Sequence, residues 1–222
     1  MAHGSEPDRA VAAYDATADL YAARIGTEIT SAIEGPIDRA LLAAFVEVAA
    51  PSGGLVADIG CGSGRVAAFL AAHGLRVVGI EPSSGMRTVA TAVHPDLRLL
   101  PGTVHSLPAA DGELAAAVCW YSIIHSPPDR LCTAFQEIGR ALIEGGHLLL
   151  AFQAGKGEAV QRDSVLGRAV ALTNYRHDPD HVAEQLRLAG FGVTSTTVRT
   201  ADHAFESTPQ AFVLAVRGRP TT

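Results

Sequence analysis

The segment Asp58–Arg65, DIGCGSGR, constrains the fold of this chain more than any other segment. It follows the short apolar run LVADIG, which favours a strand, and it precedes the alanine-rich run SGRVAAFLAAHG, which favours a helix. Its three glycines remove Cβ atoms where the chain turns from strand to helix. An ordinary turn of this kind needs only one glycine, so the loop predicts a place where a ligand approaches the backbone.

Strand-like and helix-like segments alternate along the rest of the chain, after a helical N-terminal region at about residues 8–50. Five strand segments come first, and a later helix is followed by two strands that are predicted to be antiparallel. This order predicts an α/β fold: a Rossmann-like doubly wound, mostly parallel seven-stranded sheet with an antiparallel C-terminal strand and an N-terminal helical lid. No linker or repeat interrupts the sequence, so we expect a single domain over residues 1–222.

Composition excludes several classes of function. The formal charge of −6 comes without a basic stripe, which disfavours nucleic-acid binding. The first ten residues, MAHGSEPDRA, lack the apolar region of a secretory signal, and no apolar run approaches the ~20 residues of a membrane helix. The three cysteines lack metal-like spacing. We therefore expect a cytoplasmic protein that does not bind membranes, with its oligomeric state left open.

The glycine loop differs from the dinucleotide-binding fingerprint G-x-G-x-x-G, because its third glycine is Gly64 and Arg65 stands where that fingerprint has glycine. Asp58, two residues before the first glycine, would repel a pyrophosphate and attract a cation. Glu81 ends the second strand, 21 residues after Gly60, where it can accept both hydroxyls of a ribose. A cationic, ribose-bearing ligand without phosphates fits S-adenosylmethionine (SAM).

Four segments carry a family resemblance. VADIGCGSGR, GIEPSSGM, GTVHSLPAADGE and GRALIEGGHLLL resemble, in order and spacing, the class I SAM-dependent methyltransferase family, and within it small bacterial enzymes of the ubiquinone/menaquinone type. The resemblance runs from about residue 10 to the C-terminus. It implies SAM as cofactor, S-adenosylhomocysteine (SAH) as product and methyl transfer to a small molecule, with O-methylation ahead of N- or C-methylation. It also implies a substrate-side insertion at about 154–177.

The resemblance further implies which residues surround the cofactor. Asp58 and the glycines line its methionyl part, Glu81 holds the ribose, and Thr103 stands where the family has an Asp that reaches the adenine. The expected cofactor-binding residues are Tyr14, Tyr21, Asp58, Gly60, Gly62, Gly64, Arg65, Glu81, Pro82, Met86, Gly102, Thr103, Val104, Trp120, Tyr121 and His125.

Tyr14 and Tyr21 are seven residues apart, so they share one face of the first predicted helix. A stripe packed on the core is the alternative, but that stripe would bury two hydroxyls that need partners. The segment resembles the family's lid helix, and we expect contact with cofactor or substrate. The single Trp and the other two tyrosines, Tyr121 and Tyr175, also fall in segments predicted to border the pocket.

The segment CWYSIIHSPPDR contains the candidate base. His125 has an unperturbed pKa of ~6.5, which suits proton removal near neutral pH. A structural or cofactor-side role for His125 stays open, and Tyr121 is a second candidate. Ser126 is predicted to cap the following helix, with Pro127 in its first position and Asp129 completing a capping box.

The sequence disfavours a metal site and leaves two alternative functions. His177 and His181 are four residues apart, but Asp178 is a normal helix cap, so no metal site is predicted. A non-catalytic SAM-binding sensor or partner subunit remains an alternative, because Thr103 and Ala115 replace acids that the family usually has. A nicotinamide-dependent reductase is less favoured, since the only lysine lacks the Tyr four residues before it that such an enzyme needs.

Overall fold

The computed structural model describes residues 6–218. The first five residues, on which part of the secretion prediction rests, lie outside that range. The helices are α1 (Glu6–Ile25), α2 (Pro36–Ala49), α3 (Arg65–Ala72), α4 (Ser84–Val93), α5 (Leu131–Ala141) and α6 (Pro179–Leu188). The strands are β1 (Leu55–Ile59), β2 (Arg76–Ile80), β3 (Arg98–Leu100), β4 (Leu114–Trp120), β5 (Leu142–Gln153), β6 (Ala159–Val165), β7 (Arg168–Tyr175), β8 (Phe191–Arg199) and β9 (Gln210–Arg217).

Seven strands form one sheet in the order β3-β2-β1-β4-β5-β9-β8. The first five run parallel, and β9 is antiparallel to both of its neighbours, β5 and β8. This arrangement confirms the predicted Rossmann-like sheet with one antiparallel strand near the C-terminus. The predicted N-terminal helices are also present as α1 and α2.

Helices cover both faces of the sheet, because its central strands are apolar on both sides. Every residue of β4 is buried. Ala117 and Cys119 of β4 pack in a cluster with side chains of α5 and α6. Val118 and Trp120 pack in a second cluster with α2 and α3. Since consecutive strand residues point to opposite faces, the end of β4 presents Trp120 on the side of the sheet that α2 and α3 cover.

The segment 159–175, within the predicted insertion, forms a two-stranded antiparallel hairpin of β6 and β7 outside the main sheet. The predicted cap at Ser126 is wrong, because Pro128–Arg130 first form a short 3₁₀ turn and α5 begins only at Leu131. Ser126 instead contacts a histidine, with its Oγ atom 3.1 Å from Nε2 of His105. The predicted cap at Asp178 is present, as its side chain accepts from the Asp180 N–H.

Within the described part of the chain, none of the helices combines the length and apolar character needed to cross a bilayer.

Candidate active site

Three adjacent parallel strands end at one edge of the sheet, and the residue after each strand lines the same cavity. These residues are Gly60 after β1, Glu81 after β2 and Tyr121 after β4. The cavity has a volume of about 860 Å³. Ligands of doubly wound sheets bind at this edge, beside the first strand where the chain order reverses. The topology therefore brings the predicted glycine loop to the expected place.

Most of the predicted site residues line this cavity. They are Tyr14, Tyr21, Gly60, Gly62, Arg65, Glu81, Pro82, Met86, Thr103, Val104, Trp120, Tyr121 and His125. Asp58 lines a small cavity of about 30 Å³, which also contacts Gly60, Gly62 and Trp120. Gly64 and Gly102 line neither cavity. A Cβ on Gly64 would lie 3.2 Å from the His94 ring, and one on Gly102 would lie 2.6 Å from Pro108, so both glycines serve packing.

Gly60 and Gly62 differ in what a side chain would meet there. Both adopt left-handed backbone conformations, with φ of 74° and 54°. A Cβ on Gly60 would lie 2.3 Å from the Cβ of Ser122, so the turn itself requires glycine. A Cβ on Gly62 would have no neighbour within 4 Å. Gly62 therefore leaves open space at the cavity wall, where a ligand can approach the backbone.

Glu81 connects the end of β2 to the glycine loop. Its Oε2 accepts the Gly62 N–H at 2.9 Å, and its Oε1 accepts the Ser83 N–H at 2.8 Å. The side chain is 5% exposed, and burial raises its pKa although both backbone bonds oppose the rise. Each carboxylate oxygen can accept more than one hydrogen bond. Glu81 can therefore shape the loop and still accept the hydroxyls of a ribose.

Two buried groups beside the glycine loop have no hydrogen-bond partner among the described residues: Oδ1 of Asp58 and the indole N–H of Trp120. Asp58 is 1% exposed, and its other oxygen accepts the Ala67 N–H in the first turn of α3 at 2.9 Å. Burial raises the pKa of Asp58 to about 7. Buried polar atoms are nearly always paired, so an unpaired acceptor and an unpaired donor lining one small cavity mark a place for a ligand.

His125 is held between two other elements. Its Nε2 lies 2.8 Å from the Tyr14 hydroxyl, and its Nδ1 lies 3.3 Å from the carbonyl of Thr173 in β7. Burial lowers the pKa of His125 to about 4, so the ring is neutral near pH 7. Both bonds are satisfied when Nδ1–H donates to Thr173 and Nε2 accepts from Tyr14. The lone pair that a base would use is therefore already engaged.

Tyr121, the second candidate, has a strained backbone. Its φ is 61°, a left-handed conformation that is uncommon for a bulky residue. Its N–H still donates to the Ala151 carbonyl at 2.9 Å, and its ring stands perpendicular to that of Trp120, with centroids 5.9 Å apart. Burial raises the pKa of the phenol, and the carboxylate of Asp38 adds to the rise. The chain therefore turns sharply at Tyr121, the residue whose ring lines the cavity.

Sequence reasoning missed an acidic group at the cavity, formed by Glu34, Asp38 and Glu206. Glu34 pairs with Arg65. Asp38 and Glu206 both pair with Arg199, at 2.6 Å and 2.7 Å. Asp38 and Arg199 are 161 residues apart, so no local pattern connects them. The only available signal was the helix break at EGP, which contains Glu34.

Two other residues that were predicted to border the pocket, Tyr175 and Thr103, differ in where they lie. Tyr175, predicted to border the pocket, stacks on His177 with ring centroids 6.3 Å apart and does not line the cavity. Thr103 lines the cavity, and its hydroxyl accepts the His105 N–H at 3.3 Å. Over residues 6–218, no three His, Cys, Asp or Glu side chains come together as metal ligands would.

The known proteins to which this chain is similar include methyltransferases. Residues 56–146 match a family model described as "Methyltransferase domain". The chain is 35% identical over 109 residues to the ubiquinone/menaquinone biosynthesis C-methyltransferase UbiE of Rubrivivax gelatinosus. This alignment covers 47% of this chain and 42% of that protein. It is 30% identical over 170 residues to an uncharacterized methyltransferase of Mycobacterium bovis, and this alignment covers 74% of this chain and 63% of the relative. The chain thus matches less than two thirds of the length of either relative.

The fold is also found in a solved structure. The structure of magnesium protoporphyrin IX methyltransferase from Synechocystis PCC 6803 with bound SAM superposes on this chain with a TM-score of 0.71 at 17% sequence identity. The superposition covers 98% of this chain and 100% of that one. The region that matches the methyltransferase model contains both the glycine loop and Glu81, and the sheet that positions them has the same fold. Over residues 56–146 the chain is therefore similar to the methyltransferase domain family, and its sheet has the fold of a SAM-binding methyltransferase.

Proposed function

We propose that this protein binds SAM and transfers a methyl group to a small-molecule acceptor. The observation that carries the proposal is the pair of unpartnered buried groups, Asp58 Oδ1 and the Trp120 N–H, beside the glycine loop. Together with the Arg65 guanidinium, these groups complement an α-amino acid. Asp58 would accept hydrogen bonds from its ammonium, and Trp120 and Arg65 would donate to its carboxylate. Glu81 would hold the ribose hydroxyls, and Pro82, Met86, Thr103 and Val104 would surround the adenine.

When bound, SAM supplies a methyl group already activated by its sulfonium. What remains for the protein is to align an acceptor with that methyl and to exclude water, and alignment alone contributes up to ~7–11 kcal/mol to such reactions. The α1 helix serves this purpose as a lid, because Tyr14 and Tyr21 both line the cavity from it. We propose that His125 acts first as the anchor of this lid, through its bond to Tyr14.

We further propose that the acceptor atom is a hydroxyl oxygen. An acceptor hydroxyl that donates to the Tyr14 oxygen can lose its proton along that bond, while the Tyr14 proton moves to Nε2 of His125. A group whose pKa is held near 4 by burial is a weak base, so this route suits an acidic hydroxyl such as a phenol. Tyr121 then contributes its ring to the acceptor's surroundings instead of acting as a base.

The cofactor half of this proposal is tested by calorimetric titration of the purified protein with SAH. NADPH, which a reductase would bind, is titrated in parallel, and both titrations are repeated with the Glu81→Ala variant. We expect SAH to bind and the variant to lose ~1.5–3 kcal/mol of binding free energy, the usual worth of hydrogen bonds to a charged group. Binding of NADPH without binding of SAH would overturn the proposal in favour of a reductase.

The catalytic half is tested by following SAH formation from SAM with a panel of phenols. Turnover of any phenol supports O-methylation. If SAH binds tightly but no acceptor consumes SAM, the interpretation as a non-catalytic SAM-binding protein replaces that of an enzyme.

A further inference from the structure

Glu34, Asp38, Tyr121 and Glu206 line the cavity close to one another, since, besides burial, all three carboxylates raise the pKa of the Tyr121 phenol, and we call this part of the cavity the acidic end. We infer that the acidic end recognises a protonated amine on the methyl acceptor. The inference rests on the proposed function, because it assigns the glycine-loop side of the cavity to the cofactor and the acidic end to the acceptor.

Glu34 gives the first argument. It is 2% exposed and lines the cavity, and its Oε1 is paired with Arg65. Its Oε2 is buried and accepts no hydrogen bond from any residue in the range 6–218. Leaving a buried carboxylate oxygen unpaired is costly, so this atom calls for a donor from a ligand.

The charges at the acidic end give the second argument. Among residues 6–218, the three carboxylates of Glu34, Asp38 and Glu206 form their ion pairs with two guanidiniums, those of Arg65 and Arg199. One negative charge is therefore left over at a largely buried place, where it attracts a cation more strongly than it would in water.

Arg199 gives the third argument, because it has no donor to offer an anionic acceptor. Its Nε–H and one Nη2–H donate to Asp38, a second Nη2–H and one Nη1–H donate to Glu206, and the remaining Nη1–H donates to the Thr200 carbonyl. A guanidinium has five N–H groups, and all five are used. A carboxylate or phosphate would meet carboxylates here without gaining a hydrogen bond from Arg199.

The rings of Trp120 and Tyr121 give the fourth argument. They stand at 90° to each other with centroids 5.9 Å apart, and both line the cavity. Aromatic faces attract ammonium groups, and this attraction grows when the pair is shielded from water. An alkylammonium placed here would have ring faces around its carbons and a carboxylate for its N–H groups.

The test uses three phenols that differ only in their tail: tyramine with an ammonium, tyrosol with a hydroxyl and 3-(4-hydroxyphenyl)propanoate with a carboxylate. Each is titrated into protein saturated with SAH, which carries no sulfonium charge. Trp120 is the only tryptophan of the chain, so its fluorescence reports on the cavity alone. We expect tyramine to bind about tenfold or more tightly than the propanoate, with tyrosol in between.

The matched variants are Glu34→Gln and, on the exposed side of α2, Glu47→Gln. Glu34→Gln, measured at an SAH concentration that saturates the variant, is expected to lose the preference for tyramine, and Glu47→Gln is expected to keep it. If SAH binds but the propanoate binds as tightly as tyramine, or if none of the three changes the Trp120 signal at millimolar concentration, the inference is overturned and the cofactor site stands. If SAH itself fails to bind, the proposed function fails first.

Discussion

The Tyr14 hydroxyl lies 2.8 Å from Nε2 of His125, across 111 residues of sequence. The two rings meet edge to face, with centroids 5.2 Å apart. Since Nδ1 of the same imidazole contacts the Thr173 carbonyl, one side chain joins helix α1, the turn after β4 and the hairpin strand β7. His125 therefore holds α1 in place together with other contacts, such as the hydrogen bonds that Asp15 of α1 accepts from Ser83 and Gly85.

Tyr14→Phe keeps the ring and removes this anchor. We expect SAH binding to weaken by ~0.5–1.5 kcal/mol, the net worth of a neutral hydrogen bond, because the lid closes less firmly. Amide hydrogen exchange in α1 is expected to accelerate, while exchange in the central strands stays unchanged. Tyr21→Phe, which leaves the bond to His125 intact, is the control. Unchanged protection of α1 in Tyr14→Phe would show that the lid is held by other contacts.

Gly62→Ala separates the ligand-binding role of the loop from its folding role. Gly62 and Gly53 have similar left-handed φ values, 54° and 60°, and a Cβ on either has no neighbour within 4 Å. Alanine should cost both sites the same ~1–2 kcal/mol of stability. Only Gly62→Ala should lose SAH binding, because its methyl group occupies the cavity. Urea unfolding and calorimetry check the two effects, and normal SAH binding by Gly62→Ala would contradict the placement of the ligand.

We expect the Asp58 carboxyl to release a proton when SAH binds. Burial raises its pKa to about 7, so at pH 6 the carboxyl of the free protein is largely protonated. An ammonium beside it favours the ionised form, and the proton leaves on binding. The release should approach one proton per SAH below pH 7 and vanish well above it. Calorimetry in buffers of different ionisation enthalpy measures this number.

Asp58→Asn is the control for that measurement, since an amide oxygen can still accept the Ala67 N–H but cannot titrate. If the variant releases as many protons as the natural protein, another group is responsible and the ammonium does not lie at Asp58.

Glu206 should make the protein sensitive to acid. Burial alone would raise its pKa, but Arg199 and two backbone N–H groups outweigh burial and lower the pKa from 4.5 to about 2. A carboxylate with a lowered pKa in the folded state stabilises it fully above pH 4.5, and this contribution disappears as the pH falls towards 2. Glu206→Gln should therefore lower the free energy of unfolding at pH 7 and flatten its decline between pH 4.5 and 2.

Urea unfolding as a function of pH checks this expectation. Glu184→Gln, which removes an exposed partner of Arg187, should change the free energy of unfolding by at most ~1 kcal/mol and leave the slope nearly unchanged. Equal slopes for Glu206→Gln and the natural protein would mean that the contacts with Arg199 contribute no acid-sensitive stability.

The sheet and the glycine-loop side of the cavity were predictable because their signals are local. A strand that runs into a glycine loop, and a carboxylate at the end of the next strand, each lie within a few residues of sequence. Parallel pairing then sets Asp58 opposite Gly79 of β2 and Val118 of β4, which brings these short signals to one edge.

The acidic end was not predictable, because its residues meet only through tertiary structure. Asp38 begins a helix and Arg199 ends a strand, and each taken alone resembles an ordinary surface charge. The hairpin escaped prediction for a different reason: β6 is largely exposed, so it lacks the alternation of apolar and polar residues that identifies a half-buried strand. The Ser126 cap failed because the Pro-Pro-Asp sequence suits a 3₁₀ turn as well as a first helical turn.

In the described part of the chain, strands β6 and β7 pair only with each other, although Leu172 and Asn174 of β7 line the cavity. Lengthening or shortening it shifts no register in the seven-stranded sheet, and the glycine loop and Glu81 lie on other elements. Provided that the Thr173 carbonyl keeps its contact with His125, selection can reshape this wall one side chain at a time while the glycine loop and Glu81 keep their places. A chain built this way can acquire a new acceptor while inheriting its methyl donor unchanged.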